Sequence, residues 1–238
     1  ELYFQPIVDN RSGHIASSEA LIRWKHPEKG VISPGQFIPL AEDIGLICNL
    51  GEWVLRQACY QAKHWQQEVT DAPRVSVNVS TSQFHQQNLA KLVTEVLAET
   101  QLPADKLVLE MTESMLIEDD KHVMQQLEQI QQLGVELSID DFGTGYSSLS
   151  YLKRFPVSNL KIDRSFITDV TTNSDDKALV EAILSMAHSL RLKVVAEGVE
   201  NEEQAKFLKN KQCEYIQGYL FSRPLPGEAF LTFIKQSR

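Results

Sequence analysis

The sequence is poor in the residues that build disulfide frameworks and membrane spans. Its 238 residues include three scattered cysteines, Cys48, Cys59 and Cys213. This odd number and these spacings show neither a disulfide framework nor a zinc site, so a reducing compartment is expected. No apolar run approaches about 20 residues, and no signal-peptide pattern opens the chain. These absences predict a cytoplasmic chain without a membrane span, or the cytoplasmic portion of a membrane-anchored protein.

Positive charge is also scarce. The chain has 23 lysine and arginine residues against 32 acidic ones, a formal net charge of -9. Proteins bind duplex nucleic acids by neutralising many phosphates with cationic side chains, so we expect no such partner. A small phosphate ester held through metal ions stays open, because metal-binding carboxylates would themselves make the charge negative.

Two common catalytic arrangements are missing as well. The six histidines have no metal-ligand spacing, and no Ser-His-Asp or Cys-His set is evident. No G-x-G-x-x-G follows a candidate strand, so a dinucleotide-binding open sheet lacks support. We expect the histidines to be structural, and Trp24, Trp53 and Trp65 to pack in the core or between helices.

Short β-rich runs alternate with helical patterns along the whole chain. The predicted strands are Leu2–Val8, His14–Trp24, Arg74–Val79, Leu107–Thr112, Val135–Asp140, Asn159–Ile162, Lys193–Ala196 and Glu214–Ile216. The predicted helices are one that begins at Ser33-Pro34, followed by Leu50–Gln67, Asn88–Thr100, Asp119–Leu133, Asp175–Leu190, Glu202–Lys209 and Pro226–Lys235. Eight strands, mostly separated by helices, predict a single α/β domain over residues 1–238, a TIM-type (β/α)₈ barrel. A Rossmann-like open sheet is the alternative.

The first two strands depart from this alternation. Little more than the segment from Asn10 to Gly13 separates them, which is too short for a crossover helix. We therefore expect an antiparallel hairpin, and hence a barrel with an antiparallel first strand. Because the chain opens directly on a strand, we also expect it to be a fragment of a larger multidomain protein.

Acidic and amide residues interrupt the carboxyl ends of successive strands. They are Glu19, Asn78, Glu110, Asp140, Asp141 and Glu197. In a parallel barrel these ends share the face that carries active sites, so we expect the side chains to converge. A solvated loop residue is the ordinary explanation for any single one of them. That explanation does not account for acidic residues at the ends of several successive strands.

Five converging carboxylates cannot all stay ionised without compensation. Hard oxygen ligands suit Mg²⁺ or Mn²⁺, and the adjacent Asp140 and Asp141 suit a bridged pair of ions. The sequence thus predicts a two-metal site of the kind used in phosphoryl chemistry.

An ordered set of motifs resembles one known family. Glu19-Ala20-Leu21 matches the signature that names the EAL domain, and Ile22-Arg23-Trp24 follows it. Further matches are Asn78-Val79-Ser80, Glu110-Met111-Thr112-Glu113, Asp140-Asp141-Phe142-Gly143-Thr144-Gly145, Lys161-Ile162-Asp163 and Glu197-Gly198-Val199-Glu200. The resemblance extends from Tyr3 to Leu225. A lone E-A-L carries no information, but the ordered set is specific.

This resemblance implies hydrolysis of cyclic di-GMP to linear pGpG with Mg²⁺ or Mn²⁺, in a barrel with an antiparallel first strand. The residues that it assigns to one ion are Glu19, Asn78, Glu110 and Asp140. Asp141 is implied to bridge to the second ion, with Glu197 near both. Lys161 is implied to hold the attacking water. The expected catalytic residues are therefore Glu19, Lys161 and Glu197.

The resemblance also implies a set of substrate contacts. They are Gln5, Leu21, Arg23, Pro39, Asn78, Asp163, Gln217, Gly218 and Pro224. Arg23 lies four residues after Glu19, so in one continuous strand both point to the same side, and its guanidinium suits a phosphate. A surface ion pair is the alternative for Arg23. Gln217 and Gly218 could read a guanine edge, since glycine permits close backbone approach.

Gly143 and Gly145 make a loop that precedes a predicted helix start at residues 146–149. The resemblance implies that this loop orders the metal site and a dimer contact, with Glu113 and Glu200 as anchoring and orienting acids. Because loop and anchor are both present, we expect an active enzyme. The alternative is a receptor module that binds cyclic di-GMP without cleaving it. We also expect a homodimer and, in the parent chain, regulatory or sensory domains.

Overall fold

The computed structural model of the chain describes residues 1–117, 120–145 and 152–237. Its strands are β1 (Leu2–Asp9), β2 (Ile15–Ile22), β3 (Trp24–His26), β4 (Gly30–Ile32), β5 (Arg74–Val79), β6 (Leu107–Thr112), β7 (Glu136–Phe142), β8 (Asn159–Ile162), β9 (Lys193–Ala196), β10 (Tyr215–Gln217) and β11 (Leu225–Pro226). Eight of them pair in the order β1-β2-β5-β6-β7-β8-β9-β10, and β10 pairs with β1 to close a barrel. The predicted barrel is confirmed, and the open-sheet alternative is wrong.

Strand β1 runs against both of its barrel neighbours, β2 and β10, whereas the remaining barrel pairs are parallel. The cause is the tight β1–β2 turn. The Asp9 carboxylate accepts hydrogen bonds from the backbone N–H groups of Arg11 and Ser12, and Gly13 has a φ of 77°, which favours glycine. The predicted antiparallel first strand is confirmed.

Helices surround the barrel. Within the described residues they are α1 (Pro34–Asp43), α2 (Ile47–Glu68), α3 (Thr81–Gln86), α4 (Leu89–Thr100), α5 (Lys121–Gln132), α6 (Arg164–Thr168), α7 (Ser174–Ser189), α8 (Glu202–Asn210) and α9 (Gly227–Gln236). Short 3₁₀ turns span Ala104–Lys106 and Glu113–Ile117. The predicted helix start at residues 146–149 lies outside the described residues.

Local side chains determine where several helices begin. Asn88, Asp120, Asn173 and Asn201 each precede a helix and accept a hydrogen bond from a backbone N–H of its first turn. Such caps satisfy amide groups that the helix itself leaves unpaired. They place α4, α5, α7 and α8 within two residues of the predicted starts.

The strands alternate between apolar and polar side chains. In β5, β7 and β8 the residues that point outward are apolar and buried under the helices, for example Val75, Leu137 and Leu160. The intervening residues point into the barrel and form polar layers. In the lower layer Glu136 accepts hydrogen bonds from Arg74 at 2.6 Å and from Asn159 at 3.0 Å. The upper layer contains the predicted acids.

Several short elements differ from the predictions. The second strand was expected to reach Trp24, but it ends at Ile22, and β3 and β4 then form a separate hairpin. The short elements α3, α6 and β11 were not predicted. Trp65 is fully buried against Phe4 and Phe230, as expected of a core residue. Trp24 and Trp53 are 44% and 40% exposed, so neither is a core residue, but Trp24 packs edge-to-face against Phe37 of α1, as expected of helix packing.

No helix among residues 1–117, 120–145 and 152–237 combines the length and the apolar character needed to cross a bilayer.

Gly218 follows β10 in a position that leaves no room for a side chain. A Cβ atom there would lie 2.0 Å from the Val199 carbonyl oxygen, so the backbone would have to move. We predict that Gly218→Ala lowers the free energy of unfolding by about 3 kcal/mol, measured by urea denaturation. The matched control is Gly35→Ala in the first turn of α1, where the nearest atom to the new Cβ is 3.9 Å away. That variant should change stability by about 0.5 kcal/mol or less. Equal effects of the two substitutions would contradict this account.

Candidate active site

A buried lysine at the carboxyl end of the barrel lies among four carboxylates. Lys161 of β8 is 1% exposed. Its Nζ is 2.5 Å from Glu197 Oε1, 2.8 Å from Glu110 Oε2, 3.1 Å from Asp140 Oδ1 and 3.5 Å from Glu19 Oε2. The acids come from β2, β6, β7 and the segment after β9. The predicted convergence is therefore observed, with the lysine at its centre.

One ammonium cannot balance this much negative charge. Burial, together with the neighbouring carboxylates of Glu19 and Asp140, raises the pKa of Glu110 to about 8 despite the attraction of Lys161. Burial and the charge on Asp140 also raise the pKa of Glu197 well above its usual range. Burial opposes the charge on Lys161, but the surrounding carboxylates outweigh it and raise the pKa of that ammonium. Without a further cation, the cluster retains protons at neutral pH.

Glu19 differs from its neighbours because amide groups hold both of its oxygens. Asn78 Nδ2 donates to Oε1 at 2.8 Å, and Gln217 Nε2 donates to Oε2 at 2.7 Å. Burial raises the pKa of Glu19, but the charge of Lys161 and these two hydrogen bonds outweigh it, so the pKa lies below its usual value. Glu19 therefore stays ionised in the cluster.

Gln217 and Gln5 form a chain of amides beneath Glu19. Gln217 Nε2 also contacts Gln5 Oε1 at 3.2 Å, and Gln5 Nε2 donates to the Ser222 carbonyl at 3.3 Å. Both glutamines are almost fully buried. These contacts give them a positioning role toward Glu19, and substrate contact by either stays a prediction.

Asp141 adds a fifth carboxylate at the exposed edge of the cluster. Its φ of 53° lies in the left-handed region, an uncommon conformation for a residue other than glycine. Burial and the charges of Asp140 and Asp163 raise its pKa. One carboxylate oxygen from each of Asp140, Asp141 and Glu197 lies within 4.8 Å of the other two. The same holds for Glu19, Glu110 and Asp140.

These donors fit the predicted divalent ions. The two groups of three acids share Asp140, which is the arrangement that a pair of neighbouring ions requires. The donors are oxygen atoms, which Mg²⁺ and Mn²⁺ prefer. Asn78 uses its Nδ2 on Glu19, which leaves its amide oxygen as a candidate ligand. The proton-retaining pKa values show that the cluster lacks positive charge, and divalent ions would supply it.

The glycine loop is tied to the cluster through Glu113. Its Oε2 accepts the Gly143 N–H at 2.8 Å, immediately after the Asp140-Asp141 pair. Glu113 is buried, and a Cβ on Gly145 would lie 3.0 Å from its Oε1. Glu200, the second predicted anchor, is exposed, and its carboxylate has no hydrogen-bond or ion-pair partner within the described part of the chain. Glu113 contacts the described part of the loop, and the role of Glu200 stays a prediction.

A cleft of about 580 Å³ leads away from the cluster, between α1, the ends of β2 and β6, and the loop after β5. Of the predicted substrate-binding residues, Leu21, Pro39 and Asn78 line it, and Asp141 lies at its inner end. Sequence reasoning missed other polar residues of this wall, namely Glu42, Ser80, Thr81, Gln83, Thr112 and Ser114. Thr112 and Ser114 flank the predicted anchor Glu113, and their hydroxyls are 2.9 Å apart. Their adjacency to Glu113 was the available signal.

Four other predicted substrate contacts have local structural roles. Arg23 lies beyond the end of β2, so the same-side argument from Glu19 does not apply to it. Its guanidinium donates to the Ile22 carbonyl at 2.9 Å and lies 5.9 Å from the Tyr3 ring centre. Asp163 caps α6, and Gly218 packs directly on Val199. Pro224 immediately precedes β11. Whether these four contact a substrate stays a prediction.

Arg23 instead lines a second cavity of about 550 Å³ on the other side of α1. This groove is mostly apolar and includes Trp24, Leu40, Ile44 and Trp53. None of the clustered acids lines it. Of these two cavities, the first is the one that residues of the site line, namely Asn78 and Asp141.

The comparisons with known proteins agree with this geometry. The EAL domain profile matches residues 1–224. This chain belongs to the EAL domain family. The EAL domain is 47% identical over 233 residues to the bifunctional diguanylate cyclase/cyclic di-GMP phosphodiesterase MucR of Pseudomonas aeruginosa, covering 98% of this chain and 34% of that protein. It is 45% identical over 238 residues to the cyclic di-GMP phosphodiesterase NbdA of the same organism, covering 100% of this chain and 30% of that protein.

Solved structures support the same assignment of this EAL domain. The PaMucR phosphodiesterase in complex with c-di-GMP matches with a TM-score of 0.92 and 47% identity, over 97% of this chain and 93% of that chain. The EAL domain of Mycobacterium smegmatis DcpA matches with a TM-score of 0.83 and 34% identity, over 100% of this chain and 96% of that chain. The chain spans about a third of the length of the curated relatives MucR and NbdA.

The raised pKa values of the EAL domain cluster predict a stability that depends on both pH and divalent cations. Glu110 has a pKa of about 8 in the folded protein and a lower one when unfolded, so the metal-free fold loses stability as pH rises from the unfolded value toward and beyond 8. Added Mg²⁺ or Mn²⁺ should offset this loss. At 100 times the dissociation constant, the melting temperature at pH 8 should rise by about 5–10 °C, and by less at pH 6. Differential scanning fluorimetry measures the melting temperature, with and without cation, at pH 8 and at pH 6.

Glu110→Gln provides the matched control for that experiment. The amide has nearly the same shape but no titratable proton, so both the cation effect and its pH dependence should shrink. Equal cation stabilisation at pH 6 and pH 8 in the unmodified protein would refute the charge argument.

Proposed function

We propose that this EAL domain hydrolyses cyclic di-GMP to linear pGpG with Mg²⁺ or Mn²⁺. The observation that carries the proposal is the buried cluster of four carboxylates around Lys161, next to a 580 Å³ cleft that Asn78 and Asp141 line. The activities for which MucR and NbdA are named, and the c-di-GMP complex of PaMucR, support the substrate assignment.

The reaction adds one water across one phosphodiester bond. The water oxygen forms a bond to phosphorus, and the bond from phosphorus to the ribose 3′ oxygen breaks. One water proton ends on that 3′ oxygen, and the other remains on, or leaves, the new 5′-phosphate. The opened ring is pGpG, so atoms and charges balance without any oxidant or further reactant.

Glu19, Asn78, Glu110 and Asp140 would hold one ion, and Asp141 would bridge to a second near Glu197. When bound, the ions would lower the pKa of a water and neutralise charge on the phosphodiester oxygens. Lys161 donates a hydrogen bond to Glu110 at 2.8 Å, and its Nζ lies 3.1 Å from Asp140 and 2.5 Å from Glu197. An N–H of this ammonium would hold the attacking water beside these carboxylates.

Glu197 is the most accessible of the four carboxylates around Lys161, with 18% of its side chain exposed. Burial and the neighbouring acids raise its pKa well above the usual range, which suits a carboxyl group that exchanges a proton. We assign it the exchange of a proton with the reacting groups. Glu19, held by two amides, remains an ionised ligand.

The assembly of the protein also belongs to the proposal. We propose a homodimer and a parent chain that carries regulatory or sensory domains. The homodimer follows from the family resemblance. The regulatory or sensory domains are supported by the share of MucR and NbdA that this chain spans, about a third, and by the name of MucR as a bifunctional protein.

The activity is tested by incubating the chain with cyclic di-GMP and Mg²⁺ or Mn²⁺ and separating the products by chromatography. We expect pGpG to form, and EDTA to stop its formation. Glu19→Ala should reduce kcat by at least about 10²-fold, because it removes an ionised ligand from the cluster. Glu68→Gln is the matched control, since Glu68 pairs with Lys235 on the surface. Tight binding of cyclic di-GMP by the unmodified protein without any turnover would instead indicate a receptor module.

Lys161→Met separates the role of the lysine from that of the cations. The substitution keeps the length of the side chain but removes the ammonium that holds water and competes with cations for the carboxylates. We expect kcat to fall by about 10²–10³-fold, while the affinity for Mn²⁺, measured by calorimetry, stays equal or increases. Lys235→Met, at the exposed pair with Glu68, should change neither quantity. Loss of Mn²⁺ binding in Lys161→Met would show that the lysine only supports the fold of the site.

A further inference from the structure

Helix α1 separates the two cavities of this face and presents a different surface to each. Pro34, Gly35, Ile38, Pro39 and Glu42 line the cleft that leads to the acid cluster. Their spacing of three to four residues corresponds to one helix face. The opposite face of α1 lines the apolar groove. Glu42 thus occupies a position on the cleft face where the pattern would place an apolar residue.

Glu42 is a charged residue of this cleft that lies outside the acid cluster. Of the described residues that line the cleft, only Glu42 and Asp141 are charged, and Asp141 belongs to the acid cluster. Much of the surrounding wall is apolar, with Leu21, Ile38 and Val54 among its residues. A carboxylate at the edge of an apolar slot can orient a flat ligand that presents N–H donors.

The helix gives no stabilising reason for a carboxylate at this position. Glu42 lies in the last turn of α1, where unpaired carbonyl groups concentrate partial negative charge, and no basic residue is present in that turn. Its carboxylate has no ion-pair or hydrogen-bond partner anywhere in the described segments of the chain. An exposed acid in this setting costs a little stability, so helix stability alone does not explain Glu42.

Guanine has the edge that such a carboxylate recognises. Its N1–H and N2–H₂ groups are adjacent donors, which the two oxygens of an ionised carboxylate can accept together. Adenine presents an acceptor at N1, so a carboxylate there would face a lone pair with no proton between them. One acid can therefore both attract guanine and reject adenine.

We propose that Glu42 is a specificity-determining residue that binds the N1–H and N2–H₂ edge of one guanine of the dinucleotide in this cleft. This inference rests on the proposed function, because it needs a cyclic dinucleotide whose phosphodiester lies at the acid cluster. It assigns to α1 the selection of the base, and to the barrel strands the cleavage.

The test compares Glu42→Gln with Asp43→Asn. Asp43 is the neighbouring acid in the same helix turn, is also exposed, and does not line the cleft.

For Glu42→Gln we expect KM for cyclic di-GMP to rise by about 10–100-fold, the effect of losing a bidentate base contact. We expect kcat to change by less than about twofold, since the acid cluster is untouched. The preference of kcat/KM for cyclic di-GMP over cyclic di-AMP should fall by a similar factor. Asp43→Asn should leave all three quantities unchanged.

Binding in EDTA gives a readout that does not depend on turnover. Calorimetry should show the same weakening for cyclic di-GMP in Glu42→Gln, and a smaller one in Glu42→Asp, which keeps the charge on a shorter side chain. Thermal unfolding of each variant shows whether it is folded.

An unchanged KM and dissociation constant in Glu42→Gln would overturn the inference, as would an equal loss for both dinucleotides. If the unmodified chain neither binds nor cleaves cyclic di-GMP, the proposed function fails and this inference fails with it. Cleavage by the unmodified chain and by Glu42→Gln alike would remove only the inference.

Discussion

The contact between one buried ammonium and four buried carboxylates governs this site. Moving a carboxylate out of water costs several kcal/mol unless it is paired and hydrogen-bonded. Lys161 lies within 3.5 Å of all four acids, but one ammonium has only three protons to donate. The remaining imbalance raises the pKa of Glu110 and Glu197, whereas two amides keep Glu19 ionised. The cluster therefore holds protons that a divalent cation can displace.

Sequence periodicity was sufficient to predict the barrel because its strands and long helices are determined by local patterns. Alternating side chains specify β5 to β8, and capping residues specify the starts of four helices. The elements that escaped prediction are two to six residues long, such as β3, β4 and α3. Segments of this length form because of what they contact in the folded chain, and their own sequence contains too little periodicity to show it.

The site was predictable in its members but not in their roles. Acids at successive strand ends must meet in a parallel barrel, so their convergence followed from strand order. The amide chain from Ser222 through Gln5 and Gln217 to Glu19 joins residues about 200 positions apart, and no local pattern contains it. The predicted orientation of Arg23 failed for a different reason, because the predicted strand extended two residues beyond the observed end of β2. Beyond Ile22 the period-two rule no longer applies, and the side chain faces a different cavity.

The barrel makes the electrostatic imbalance unavoidable. Glu110, Asp140 and Lys161 sit on strands that are paired on both sides, so the acids cannot move apart without breaking the ladder. Asp141, with its φ of 53°, departs from regular strand geometry at the edge of the cluster, where the register of β7 against β8 also shifts. A fold optimised for stability alone would place apolar residues at these positions. The strands instead hold like charges together, so the metal-free cluster retains protons, and its two groups of acids could bind divalent cations.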